Sequence, residues 1–65
     1  MSKFISVIEH FSNREMIINI DKISHIVQKE HYCAIHIDTY DKPFVLCAKE
    51  SVDTIYYSIR MAESL

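Results

Sequence analysis

The chain has no glycine in 65 residues, so its reversals must rely on residues for which positive φ is costly, or on turn types that avoid it. Asparagine tolerates that conformation best among the residues available. Asn13 sits in Ser12-Asn13-Arg14 between two apolar segments, which predicts a hairpin there. The same absence removes two catalytic devices, the glycine-rich phosphate loop and the strand-turn-helix elbow that presents a nucleophilic serine.

With 49% hydrophobic and 25% charged residues, the chain reads as one small globular domain over 1–65. A chain this short buries only about 60% of the surface it exposes when unfolded, so its core needs supplementing by crosslinks, a metal or self-association. Seven Lys/Arg against nine Asp/Glu give a formal charge of −2. No basic field is present to attract nucleic acid or an anionic membrane. The first ten residues lack the apolar stretch and cleavage site of a secretion signal, and no apolar run approaches the roughly 20 residues that span a bilayer. A cytoplasmic protein is expected.

Apolar alternation bounded by turn residues predicts strands over 3–11, 15–20, 23–29, 32–38 and 43–48. Cys33, Ile35 and Ile37 against Ala34, His36 and Asp38 form the clearest alternation. Asp21-Lys22 marks a kink in which Asp21 is positioned to cap, and one helical turn over 21–26 is an equal alternative to immediate extension. Pro43 opens the last strand, where a missing N–H breaks no interior ladder. From Ser51 the period changes: Val52, Ile55, Tyr56, Ile59 and Ala62 mark the buried stripe of an amphipathic helix over 51–63, with Ser51 as N-cap and Asp53 complementing the dipole. The connections are too short for parallel crossovers. The fold class is α+β: a small, mainly antiparallel sheet of about five strands, open or strongly curled, with one C-terminal amphipathic helix.

One helix covers one face of such a sheet. Yet Phe4, Ile5, Val7, Ile8, Phe11, Met16, Ile17, Ile18, Ile20, Ile23, Ile26 and Val27 put apolar side chains on both faces of the first three strands. Either the sheet curls into a barrel, or identical chains cover one another; a homo-oligomer is the expectation.

Chemistry-bearing clusters are sparse. His31-x-Cys33-x-x-His36 gathers soft donors suited to zinc, but on a strand His36 points away from the other two. No metal is expected. Cys33 and Cys47 lie in apolar runs and read as buried free thiols, and His10 and His25 read as isolated surface or interface groups. Cys33 near His31 or His36 is the only candidate nucleophile, and Asp38 and Asp41 flank a turn, where Asp is simply favoured. A non-enzymatic protein without a cofactor follows. Binding is better supplied: Tyr32, Tyr40, Tyr56 and Tyr57 offer ring faces and Lys42, Lys49 and Arg60 positive charge. Tyr40, Lys42, Lys49, Tyr57 and Arg60 are the candidate ligand-binding residues.

The run Ile17-Ile18-Asn19-Ile20-Asp21-Lys22-Ile23, then Ile35-His36-Ile37, Phe44-Val45-Leu46 and Lys49-Glu50-Ser51-Val52-Asp53-Thr54-Ile55, resembles the small FlbD-like proteins of flagellar operons, phages and other mobile elements. The likeness covers about residues 4–60, departing at Tyr40-Asp41-Lys42-Pro43, where such proteins generally carry an Asn-Gly type turn. It implies a helix-capped small sheet with a non-enzymatic regulatory or binding role, and does not extend to flagellar function. A fainter likeness is to the LytTR DNA-binding domain, whose basic surface this chain lacks. Two functions are therefore expected. The first is a homo-oligomer sequestering a small anionic or nucleotide-like ligand at subunit junctions, as phage proteins that soak up nucleotide immune signals do by analogy of size and architecture. The alternative is a protein–protein interaction adaptor of the FlbD-like kind.

Overall fold

The computed structural model describes residues 3–39 and 41–64. In chain order it runs β1 (Phe4–Ile8), β2 (Glu15–Asn19), a short 3-10 turn (Ile20–Lys22), β3 (Ile23–Gln28), β4 (Cys33–Ile37), β5 (Phe44–Ala48) and α1 (Val52–Glu63). Among the described residues all pairing between strands is antiparallel and joins neighbours in sequence. β1 pairs with β2, and β3, β4 and β5 form a three-stranded sheet in that order. The two sheets touch at one corner through the Glu9–Ala48 bridge, where His10 N–H donates to Cys47 O at 2.6 Å and Lys49 N–H to Ile8 O at 2.8 Å. They do not close into a barrel. The α+β expectation therefore holds, in its open form.

β1 stops earlier than its apolar residues predict because Glu9 begins the reversal. Its carboxylate accepts from the N–H groups of Phe11 at 3.2 Å and Ser12 at 2.8 Å, while Asn13 N–H donates to Glu9 O at 2.8 Å. Asn13 takes φ 61°, the only positive φ among the described residues, and its side-chain oxygen accepts from Lys49 Nζ. Phe11 is thereby left outside the strand and 73% exposed.

The bonds from Ser12 and Phe11 hold the Glu9 carboxyl below its ordinary pKa of 4.5. A depressed folded value means that stability is present above 4.5 and lost as pH falls through the lower value. Glu9→Gln is accordingly expected to lower the urea midpoint at neutral pH, with the gap to wild type narrowing on acidification. A gap independent of pH would contradict this account of the turn.

At the next kink a 3-10 turn forms over Ile20–Lys22, but the chain extends into β3 from Ile23, so a helical turn over 21–26 does not form; the short turn is capped by Asn19 rather than Asp21, with Asp21 N–H donating to Asn19 Oδ1 at 3.0 Å. Asparagine supplies the accepting oxygen one position before the turn, leaving Asp21 as a first-turn charge.

Helix α1 starts where expected, with Ser51 Oγ accepting from Thr54 N–H at 3.3 Å. A second cap was not readable from local sequence. Gln28, at the end of β3, accepts from Val52 N–H at 2.8 Å through Oε1, and its Nε2 donates to Lys29 O and Tyr32 O at 2.9 and 3.2 Å. One amide thus ties the β3–β4 turn to the helix N-terminus, satisfying a backbone donor that the helix itself cannot.

The core joins Ile5 and Val7 of β1, Ile18 of β2, Cys33 and Ile35 of β4, Leu46 and Ala48 of β5, and Ile55 of α1. The helix contributes Val52, Ile55, Ile59 and Ala62 to this cluster. Tyr56, expected on the buried stripe, is exposed. At 100° per residue it stands on the flank of the face centred on Ile55 and Ile59, and the sheets meet only that narrow face.

Candidate functional site

The apolar surplus of the first strands resolves into separate surfaces. On the hairpin, alternation turns Ile5, Val7 and Ile18 inward and leaves Phe4 and Ile17 outward, Ile17 being 64% exposed. The inward row continues at its edge into an open groove between β2 and β5. Met16 and Ile18 line one side and Ile37, Phe44 and Leu46 the other, with Asn19, Lys22, Asp38 and Thr39 at one end, enclosing about 740 Å³. A second hollow, of about 430 Å³, shares Met16, Phe44 and Leu46 and runs on toward Phe11 and Arg14. Among the described residues β2 is paired only with β1. β5 is paired along its length only with β4, touching β1 at the corner bridge. Each strand therefore presents unpaired backbone donors and acceptors on its other side.

The sequence-predicted ligand residues do not assemble within one copy. Tyr57 and Arg60 stand together in a shallow concavity of about 560 Å³ along the outer side of α1, with Asp53, Tyr56, Met61 and Ser64. The Arg60 guanidinium lies 5.8 Å from the Tyr56 ring centre, a cation–π contact that keeps both groups at the surface. Lys49 is engaged with Asn13 at the β1–β2 turn. Lys42 lies in the β4–β5 turn beyond the other end of β5, where its N–H donates to Thr39 Oγ1 at 3.2 Å. Tyr40 lies outside the described residues.

Histidine placement departs from expectation in two places. His25 is not isolated but stacks on His36 across β3 and β4, ring centres 4.0 Å apart and planes 17° off parallel. The register shift between Ile23 and His25 brings the two rings level, and Ser24 Oγ lies 2.9 Å from His25 Nδ1. His10 packs edge-on against Phe11 at 4.9 Å and beside Tyr32 at 5.6 Å. The His25–His36 and His10–Tyr32 pairings depend on which segments become neighbours in space, so no short sequence window contains them.

The His31, Cys33, His36 set does not converge. His31 is exposed in the β3–β4 turn, 3.8 Å from Glu30; Cys33 is fully buried; His36 is held against His25. Among the described residues no group of three or more His, Cys, Asp or Glu is placed to hold a metal ion. Burial pushes the Cys33 thiol up from its usual pKa, and the charge of Glu50 adds to the effect, the reverse of what activates a nucleophile. Cys47 is half-buried rather than buried. It pairs with Ala34 while Cys33 pairs with Ala48, so the two free thiols project to opposite faces and cannot be joined within one chain. No helix among the described residues is long and apolar enough to cross a membrane. No protein-family model, curated protein or solved structure matches the chain.

Proposed function

We propose that the chain is a non-enzymatic binding protein that works as a homo-oligomer and holds a stretch of polypeptide in the β2–β5 groove. The observation that carries this reading is the groove's construction, an apolar floor between two strands whose outer backbone edges are unpaired apart from the Glu9–Ala48 corner of β5. An extended peptide matches both features at once: its main chain completes an edge ladder while alternate side chains enter the groove. The likeness to FlbD-like proteins supports the same class of role, a regulatory adaptor.

A second reading, capture of a small anionic or nucleotide-like ligand, is favoured by one observation, the grouping of Tyr57, Tyr56 and Arg60 on α1. Lys42, Lys49 and Arg60 are spread over three places in one copy. A pocket that uses more than one of these three cations therefore requires a junction between copies.

Panning a random-peptide display library against the purified chain separates the two. Peptides with alternating apolar residues should be enriched, and Phe44→Glu, at an exposed position lining both hollows, should weaken their binding by about tenfold or more through an unpaired charge on an apolar floor. No enrichment, together with a small anion released from freshly purified, denatured protein, would overturn the polypeptide reading in favour of the second.

A further inference from the structure

Helix α1 carries its apolar stripe inward, yet its opposite side is far from a plain solvated face. Tyr57 is 65% exposed, Tyr56 and Met61 are also exposed, and all three share one concavity with Asp53 and Arg60. Among the described residues the Asp53 carboxylate has no hydrogen bond or ion pair, and the Arg60 guanidinium has only the Tyr56 ring beside it. Seven residues are almost two full turns, so Asp53 and Arg60 point the same way about 10 Å apart along the axis, with Tyr56 and Tyr57 at the midpoint.

That arrangement is its own complement. We infer that a second copy of this chain docks on the outer face of α1 with the helices antiparallel, each Asp53 meeting the partner's Arg60 and the tyrosines of both copies meeting at the two-fold axis. Under two-fold symmetry, a surface with an acid at one end and a base at the other pairs both charges at once, and the antiparallel helix dipoles add to the attraction. Parallel docking would set like charges against each other. The inference rests on the homo-oligomer reading and names the surface that makes it. Twelve residues of helix span about 18 Å, too little to bury the roughly 1,200 Å² of a firm interface, so a dimer that dissociates on dilution is expected.

Sedimentation equilibrium at low salt, over a concentration series, tests this on the full chain. Arg60→Asp and Asp53→Arg should each weaken self-association about tenfold, because each places like charges opposite one another at both ends. An equimolar mixture of the two variants should restore association as a heterodimer, since every facing pair is then of opposite sign. Tyr57→Lys, at an exposed position, should also weaken it and serves as the deciding variant if circular dichroism shows that a charge variant has lost its helix. Wild-type self-association that none of these changes touches would overturn this surface while leaving the homo-oligomer reading in place. A wild-type monomer at the highest soluble concentration would overturn both.

Discussion

Ile35→Ala is expected to remove most of the stability of the fold. Ile35 is 0% exposed in the middle of β4, the central strand of its sheet, and faces Ile26 and Leu46 on either side. Truncating such a side chain loses its transfer free energy and leaves a cavity, together about 2–5 kcal/mol. At 0.05–0.15 kcal/mol per residue, a chain this short has about 3–10 kcal/mol in total. The substitution should therefore bring the urea midpoint close to zero denaturant, whereas Ile35→Val should cost only about 1 kcal/mol. Measurement at several protein concentrations distinguishes loss of the core from loss of association, since only the latter depends on concentration. A midpoint near wild type would mean that Ile35 is not where the core is concentrated.

Ile55→Asp is expected to detach the helix from the sheets. Ile55 is 1% exposed and is the only helix residue that is fully buried, within a cluster whose members are all apolar. A carboxylate there has no cationic neighbour in that cluster, and the cost of stripping its water is several kcal/mol. Its folded pKa would be raised, so the penalty should ease as pH falls and the acid becomes neutral, and grow as pH rises through the carboxylate range. Far-UV circular dichroism should show lost helix at neutral pH. Tyr57→Asp, two positions along and on the outer side, should leave the spectrum and midpoint nearly unchanged when measured at concentrations low enough for the chain to be monomeric. Equal loss in both variants would contradict the assignment of the two faces.

The two faces also show what the sequence reveals and where it stops. Cys33, Ile35 and Ile37 could be placed by alternation because a strand has a fixed period, and Ser51 could be read as a cap because its partner is three residues away. Tyr56 could not be placed: the 3.6-residue period marks candidates for a buried stripe, but the width of the stripe depends on what packs against it. The same limit applies to Phe11, whose apolar character extends the strand pattern until the Glu9 carboxylate turns the chain. Of the candidate ligand residues, composition picked out Tyr57 and Arg60, which share one surface, together with Lys42 and Lys49, which lie apart from them. Spacing of charges along a chain does not determine distance between them in a sheet. The β2–β5 groove and the His25–His36 stack were hidden for a related reason, since both arise only when strands are given neighbours.

Strand pairing between immediate neighbours also bears on how quickly the native state is reached. The β1–β2 hairpin and the β3–β4–β5 meander can each zip from a short reversal, so little loop entropy opposes their appearance. Joining them through Glu9 and Ala48 closes a loop of about 40 residues and costs more. That corner, and the arrival of the helix beside it, should be the late event. Substitutions there should therefore accelerate unfolding and leave the refolding rate almost untouched.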